Sequence, residues 1–176
     1  LNMLNRHYTK HSLMSKIIIL ISFLVLTHLH VFSNENDAAD KNISGMKMLA
    51  DNRPVEAEKF FREAIKENRG VSYYYNNLAV SLMKQKKYSE AIEELNRAVI
   101  IDPGNVKAVS NLAVCYFYMS DYSKAYHYYI MAKKMDSDYV KSRFTREKIK
   151  DKTEKIENRG YNEKEINKII DKVTEE

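Results

Sequence analysis

The chain has 176 residues, of which 44% are hydrophobic and 30% charged, and its formal net charge is +5. Residues 1–33 hold three of its 29 basic residues and none of its 24 acids, so the remainder has 26 bases against 24 acids, a net charge of +2. Such a balanced surface is typical of a solvated helical domain and gives no reason to expect a nucleic-acid partner. The single cysteine cannot form an internal disulfide, so packing alone must hold the fold.

The first predicted element is the apolar segment at 17–26, which basic residues precede and no acid follows before Glu35. A basic start, a short apolar run and a small residue before a polar stretch are typical of a secretory signal peptide. Val31-Phe32-Ser33 fits a cleavage site, which predicts a signal peptide over 1–33 and a mature start near Asn34. The alternative is that residues 17–32 stay in place as a membrane anchor, although they fall short of the ~20 apolar residues that span a bilayer.

Both alternatives predict export across the cytoplasmic membrane, to its periplasmic or extracellular side, and residues 17–32 are the only predicted membrane contact. Leu1 opens the sequence, whereas Met14-Ser15-Lys16 would make a conventional start for a signal peptide. We therefore hypothesise that residues 1–13 are an upstream extension of the true start.

The middle of the chain repeats with a period of 34 residues. One alanine series is Ala57, Ala91 and Ala125; a second, seven residues later, is Ala64, Ala98 and Ala132; and Gly45, Ala79 and Ala113 keep the same step. Helices that approach to about 8–10 Å need small residues where they cross, so each unit is predicted to be two packed helices, A and B. The predicted fold is all-α: a right-handed solenoid of three helix-turn-helix repeats over 34–139, with units at 38–71, 72–105 and 106–139.

After the repeats, residues 140–176 are predicted to form charged capping helices. The first would cover 140–158, where sparse apolar residues interrupt a charged sequence, and a last short helix would follow Gly160 and run to about Val173. Repeat arrays need such an end, which covers the last apolar face and shows water a polar one. The apolar face of the last helix either packs back or serves as a contact arm.

The repeat pattern resembles the tetratricopeptide repeat, or TPR. That family shows an aromatic, a Leu-small pair and Tyr on helix A, then two alanines around a large residue on helix B, and Pro near the end. The second unit matches with Tyr75, Leu78-Ala79, Leu82, Ala91, Leu95, Ala98 and Pro103, and the third with Leu112-Ala113, Tyr116, Ala125, Tyr129 and Ala132. The first unit departs most, because Lys41 and Arg69 replace the first aromatic and the proline.

The resemblance implies a non-enzymatic module that binds a protein or peptide in the concave groove lined by the A helices. By carry-over from the family, the groove residues are Tyr73, Asn76, Asn77, Val80 and Lys84 in the second unit and Lys107, Ser110, Asn111, Val114, Phe117 and Tyr118 in the third. The first unit would add Asn42, Ile43, Met46 and Leu49.

Asn77 and Asn111 recur at the 34-residue step. Their amides can donate to and accept from a peptide backbone, or the residue can serve the fold alone, and the sequence leaves both open. The resemblance also offers the carboxylate grip of chaperone-binding relatives. That mode is not expected, because Ile43 and Asn111 stand where the grip would need charged or amide partners for the carboxylate.

No catalytic residue, metal site or cofactor is predicted. Cys115 lies among apolar residues of a predicted helix and is interpreted as a packing residue. His127 is the one histidine of the predicted mature chain, which is too few for a zinc site. The alternative function is a structural subunit that self-associates as a homo-oligomer or is anchored in an envelope assembly.

Overall fold

A computed structural model of the chain describes residues 16–25 and 37–145, together with Lys168 and Asp171. Over these ranges the chain is helical apart from its turns, which confirms the predicted all-α class. After a separate helical segment at 16–25 and α1 at 37–50, the helices are α2 (Pro54–Glu67), α3 (Ser72–Lys84), α4 (Tyr88–Ile101), α5 (Val106–Tyr118), α6 (Tyr122–Met135) and α7 (Ser137–Arg143). The A helices are α1, α3 and α5, and the B helices are α2, α4 and α6.

The same turn joins A to B in all three pairs. After α3, Lys86 takes a left-handed conformation with φ 64°, and the amide of Lys87 donates to the carbonyl of Leu82 at 3.0 Å. These are the marks of a Schellman ending, which satisfies carbonyls at the end of a helix and reverses the chain. The equivalents at the 34-residue step are Asn52 and Ser120 with positive φ, and the bonds from Arg53 to Met48 and from Asp121 to Tyr116.

The B helices end at equivalent residues as well. The amides of Asn68, Asp102 and Asp136 each donate at 2.9 Å to the carbonyl of the alanine four residues earlier, which is the second alanine series of the sequence. Between pairs, Asn105 caps α5 by accepting from the amide of Ala108, and it donates to the hydroxyl of Ser72 at 2.7 Å. That hydroxyl in turn donates to the carbonyl of Ala98 at 2.9 Å, so this polar junction fixes the second pair against the third.

Small residues stand where A and B helices cross. Gly45 of α1 lies against Phe61 of α2, and a Cβ added to this glycine would come within 2.6 Å of the ring. Ala79 and Leu95 at the corresponding places of the second pair are completely buried. The main core runs from α2 through α5, and a second cluster joins the third pair to α7. The predicted solenoid of helix pairs is therefore what the chain forms.

The cap begins earlier than the sequence predicts, and its first helix ends at Arg143. Helix α7 begins at Ser137, because the side chain of Asp136 accepts from the amide of Tyr139 at 2.9 Å, and it buries Val140 against the third pair. It ends at Arg143, and the ring of Phe144 leaves the helix to pack edge-on against Tyr129 at 5.6 Å. The helical segment predicted at 140–158 therefore starts earlier than expected, at Ser137, and is not helical at residues 144–145. Residues 146–158 and, apart from Lys168 and Asp171, the predicted last helix lie outside the described residues.

The helix at 16–25 stands apart from the repeats. All ten of its side chains are exposed, with Phe23 at 67% and Ile19 at 66%. In the part of the chain that the structure describes, no helix has both the length and the apolar character needed to cross a membrane.

Candidate functional site: the groove of the A helices

The A helices form one continuous surface. Helix α3 packs directly against α5, and α1 reaches α3 through a hydrogen bond between Asn42 and Asn77. The described B helices, in contrast, touch one another at isolated points at most. An array whose A helices lie closer together than its B helices curves toward the A side, so α1, α3 and α5 line its concave groove.

Four asparagine side chains form a hydrogen-bonded line across this groove, which we call the amide row. Asn111 of α5 donates to Asn76 of α3 at 2.8 Å, Asn76 approaches the oxygen of its neighbour Asn77 at 3.5 Å, and Asn77 donates to Asn42 of α1 at 2.9 Å. Asn42, Asn76 and Asn111 are at most 7% exposed, whereas Asn77 is half-buried. The row therefore brings Asn77 to the surface with its amide already oriented.

Helix α7 completes the row. The guanidinium of Arg143 donates through Nη2 to the side-chain oxygen of Asn111 and through Nη1 to the hydroxyl of Tyr139, the latter at 3.1 Å. Every bond then runs in one direction along the row, from Arg143 at the cap to Asn42 at the first helix. This alignment holds α7 at the third pair and fixes the orientation of the amides.

Beside the amide row runs an apolar strip, with one residue from each A helix in each of two rows. These residues occupy equivalent places at the 34-residue step, and their side chains are half-buried except for Met46, which is 52% exposed. The first row is Met46, Val80 and Val114, and the second is Leu49, Met83 and Phe117. A ligand in the groove would meet amides on one side and apolar side chains on the other.

The central part of the groove carries positive charge alone. Helices α3 and α5 contain no Asp or Glu, and their charged side chains, Lys84 and Lys107, are both exposed. The acids of the first two pairs are concentrated on the B helices: four glutamates on α2 and three on α4. The central part of the groove thus presents a positive surface, while the B helices of the first two pairs carry charges of both signs.

The predicted groove residues fall into three classes of exposure. Exposed are Tyr73, Lys84, Lys107, Ile43 and Met46; half-buried are Asn77, Val80, Val114, Phe117, Tyr118 and Leu49; and buried are Asn76, Ser110, Asn111 and Asn42. Tyr118 stacks on Tyr88 of α4, with ring centroids 4.9 Å apart and planes 7° apart. It therefore lies at the edge of the groove beside the A–B turn.

Two residues of this surface, Met83 and Arg143, are absent from the predicted groove. Met83 shares its register with Leu49 and Phe117, so the 34-residue step contained the signal for it. Arg143 had no such signal, because it follows the last repeat and reaches the row only through the packing of α7. Asn77 and Asn111, which recur at the 34-residue step, do not bond to each other; the row links Asn77 to Asn42 and Asn111 to Asn76, each 35 residues apart.

The described residues do not assemble a metal centre, and their one cysteine is buried. Burial raises the pKa of the Cys115 thiol to about 12, which keeps it from acting as a thiolate nucleophile. Among the described residues, no three His, Cys, Asp or Glu side chains lie together in a way that could hold a metal ion. Cys115 packs with Leu112 and Leu82 in the main core, in agreement with its interpretation as a packing residue.

The comparisons with known proteins point to one fold. Residues 72–105, the second helix pair, match the family model described as tetratricopeptide repeat. No curated protein matches the chain.

Solved structures match over most of the described repeats. The TPR domain of Arabidopsis OM64 superposes with a TM-score of 0.59 and 22% identity, over 62% of this chain and 95% of that domain. The TPR2B domain of yeast Sti1, in a complex with pHsp70, superposes with a TM-score of 0.58 and 23% identity, over 78% of this chain and 95% of that domain. The first TPR of Spaghetti (RPAP3), bound to the HSP90 peptide SRMEEVD, superposes with a TM-score of 0.58 and 18% identity, over 58% of this chain and 82% of that one. At these identities the likeness shows the fold, a TPR solenoid.

Proposed function

We propose that this chain is a non-enzymatic binding module that holds an extended segment of a partner protein against the A helices. The observation that carries the proposal is the amide row. Buried side-chain amides are costly unless they are hydrogen-bonded, and a core of this kind is more simply filled with apolar residues. A line of four asparagines across three helices therefore has a use beyond packing.

The row suits a peptide backbone. An extended strand offers N–H and C=O groups at regular spacing along its length, and an asparagine amide can meet both. Asn77 is the amide that reaches the surface, and Asn42 and Asn76 hold it from either side. The apolar strip would accept side chains of the same segment, so the partner's backbone lies on the row and its apolar residues on the strip.

The similar structures support this use of the fold. The Spaghetti (RPAP3) domain is solved with a bound HSP90 peptide and the Sti1 domain in a complex with pHsp70, which are both binding roles of a TPR array. Those partners belong to those proteins. For this chain they support a protein or peptide ligand and leave its identity to experiment.

The experiment is site-specific photo-cross-linking with the full chain in envelope extracts. A photo-reactive residue replaces Phe117 in the apolar strip, and a matched control places it at Ile100 of α4, which is 79% exposed on the opposite side. We expect the same partner to be cross-linked from position 117 and not from position 100. Asn77→Ala should abolish the cross-link, while Asn96→Ala, an exposed asparagine of α4, should leave it unchanged.

Two outcomes contradict the proposal. Equal capture from positions 117 and 100 would mean that the groove is not the binding surface. Capture of the chain by itself, indifferent to Asn77, would favour the alternative function, a self-associating structural subunit.

We also propose that the chain is exported, with residues 1–33 as its signal peptide or residues 17–32 as its anchor. The sequence pattern supports this, and so does the helix at 16–25, whose exposed apolar side chains call for an apolar environment. Ten helical residues span about 15 Å, half of a bilayer's hydrocarbon core. N-terminal sequencing of the protein purified from cells tests the proposal. A start near Asn34 indicates a cleaved signal peptide. A start before residue 17, in protein from the membrane fraction, indicates an anchor. An intact chain in the cytoplasmic fraction would refute export.

A further inference from the structure

The hydrogen bonds of the amide row continue beyond Asn42. The side-chain amide of this residue donates to the sulfur of Met46, one turn further along α1, with Nδ2 and Sδ 3.6 Å apart. A thioether sulfur is larger than an oxygen atom, so it accepts at this longer distance, but it accepts weakly. The line of donors that begins at the guanidinium of Arg143 therefore ends on its weakest acceptor.

The sequence of the first unit explains why a sulfur takes this place. In the second unit the amide of Asn76 approaches the oxygen of its neighbour Asn77. The equivalent neighbour of Asn42 is Ile43, whose side chain contains no acceptor. Met46, which stands where the second and third units have valine, supplies an acceptor instead. These two departures from the repeat therefore belong together, and they join a methionine to the row.

Met46 is also the most exposed of the methionines that the structure describes. It is 52% exposed, and Met119 follows at 46%. The sulfur of Met119 lies 3.9 Å from the hydroxyl oxygen of Ser89, at the end of α5 and outside the row. The other described methionines are half-buried: Met48, Met83, Met131 and Met135. The described part of the chain thus carries two exposed thioethers, and one of them belongs to the proposed binding surface.

We infer that Met46 is a site of reversible oxidation, at which a peroxide converts the thioether to a sulfoxide and thereby lowers the affinity of the groove for its partner. Only the effect on affinity rests on the proposed function. In the reaction a lone pair of the sulfur attacks the terminal oxygen of the peroxide. The S–O bond forms as the O–O bond breaks, and the leaving oxygen takes the proton of the transferred hydroxyl and departs as water or an alcohol.

The oxidation removes two electrons from the sulfur and is reversible by thiols. A reductant with two thiol groups returns the two electrons, becomes a disulfide, and carries the oxygen away as water. Methionine sulfoxide reductases catalyse this step for either epimer of the sulfoxide. The modification is therefore set by the balance between peroxide and thiol around the protein.

A sulfoxide would change the end of the amide row in a definite direction. Its oxygen is a stronger acceptor than a thioether sulfur, and the flexible methionine side chain can turn that oxygen toward the amide of Asn42. Hydrogen bonds in a line polarise one another, so a better acceptor at Met46 should also strengthen the bond from Asn77 to Asn42. Asn77 is the amide that reaches the surface. Its amide would then be held more firmly within the row and be less available to a peptide backbone.

The same oxygen would disturb the apolar strip. Met46 shares the first row of the strip with Val80 and Val114, and it is the most exposed of the three. An apolar side chain of the partner that packs here would cover the polar sulfoxide, and to bury a polar group without a hydrogen bond is unfavourable. Both effects lower the affinity for an extended apolar segment, so oxidation should release the partner.

The first test needs no partner and uses the purified full chain with hydrogen peroxide. Peptide mass spectrometry should show Met46 oxidised about tenfold faster than the half-buried methionines. The side-chain amide signals of Asn42 and Asn77 in nitrogen–proton NMR spectra should shift as Met46 is oxidised. In Met46→Leu, which keeps the apolar volume without the sulfur, peroxide should leave both signals in place. The matched control, Met119→Leu, should still show the shift.

The second test measures binding through the cross-link from position 117. The chain is oxidised and freed of peroxide before it meets the extract, and it should then give several-fold less cross-linked partner. A methionine sulfoxide reductase with a dithiol should restore the cross-link. Met46→Leu should bind equally well with and without peroxide treatment. Met46→Gln, which places a polar amide at this position, should bind as weakly as the oxidised chain.

The results that overturn the inference are distinguishable from a failure of the proposed function. The site is refuted if Met46 is oxidised no faster than the half-buried methionines, or if the amide signals stay in place when it is oxidised. Its role in release is refuted if peroxide lowers binding equally in Met46→Leu. If the untreated chain cross-links no partner, the proposed function fails, while the oxidation rates and the amide signals still decide the site.

Discussion

Each A helix has one face toward its B helix and another toward the groove, and different physics specifies the two faces. The face toward the B helix is apolar and specified by size: Gly45 meets Phe61 in the first pair, and Ala79 stands at the place that faces Leu95 in the second. The face toward the groove carries the amide row beside the apolar strip, and the row is specified by hydrogen-bond direction, from Arg143 to Asn42. The first face tolerates any sequence that fills the same volume, whereas the second depends on particular groups.

The face toward the B helix accounts for stability, whereas the amide row on the groove side points to function. Burial of Phe61 and Leu95 explains why the helices pair, since a large buried side chain contributes about 1.5–3 kcal/mol. The amide row returns little net stability, because its bonds replace bonds to water. Its presence on the groove side is the reason to assign binding to that face.

The largest expected effect is on the size-specified face. Phe61→Ala should lower the free energy of unfolding by about 3–5 kcal/mol, because it leaves a cavity against Gly45. Gly45→Ala should also destabilise the chain, since its Cβ would meet the Phe61 ring. Urea unfolding followed by circular dichroism measures both.

A double-mutant cycle sharpens this result. Gly45→Ala with Phe61→Leu gives the first pair the residues of the second, so the smaller leucine side chain should relieve the overlap. We expect a coupling of about 1–3 kcal/mol that favours the double variant. Strictly additive effects would mean that size matching does not specify this crossing.

The next effect concerns the polar face. Asn76→Leu should cost about 1–3 kcal/mol, because it leaves the amide of Asn111 and the oxygen of Asn77 without their buried partner. The matched control, Asn96→Leu on the exposed side of α4, should change stability by less than about 0.5 kcal/mol. Equal effects of the two variants in urea unfolding would contradict the hydrogen-bonded row.

Acidic pH should weaken the charged contacts outside the groove and leave the uncharged amide row unaffected. Burial by itself raises the pKa of Glu58, but hydrogen bonds from Arg62, Gln85 and Lys87 outweigh it and hold the pKa below its ordinary value of 4.5. This carboxylate therefore contributes stability above pH 4.5, and the contribution is lost as the pH falls through its lower folded value.

The test is unfolding at a series of pH values between 6 and 3. Glu58→Gln should be less stable than the wild type by about 1 kcal/mol at pH 6, and the gap should close toward pH 3. The row should show no such dependence, since amides do not titrate, so the cost of Asn76→Leu should stay constant. A constant gap for Glu58→Gln would exclude its ionised state as the source of the stabilisation.

The smallest expected effect is on the reactivity of the Cys115 thiol in the main core. With a pKa raised by burial to about 12, about one thiol in ten thousand is ionised at pH 8. A maleimide reagent should therefore label the unfolded chain readily and the folded chain only at its unfolding rate. Rapid labelling of the folded chain would show that the third A helix opens locally.

Sequence reasoning found the positions of the groove more easily than their contacts. The resemblance to the repeat family placed Asn76, Asn77 and Asn111 in the groove, and the 34-residue period added that Asn77 and Asn111 lie on equivalent helix faces. It did not show that Asn77 bonds to Asn42 and Asn111 to Asn76, because neighbouring helices are offset so that residues 35 apart meet. Nor did it assign Tyr118 to the groove edge, where stacking on Tyr88 of the preceding B helix places it.

The alanine series was enough to predict the helix pairs, because small residues at a fixed period mark where helices cross. The role of the cap depends instead on the packing of α7. The predicted helix over 140–158 overlooked Asp136 as its start, and no pattern pointed to Arg143. Periodicity reports interactions that repeat, whereas the contact between Arg143 and Asn111 occurs once, between residues 32 apart that the packing of Val140 brings together.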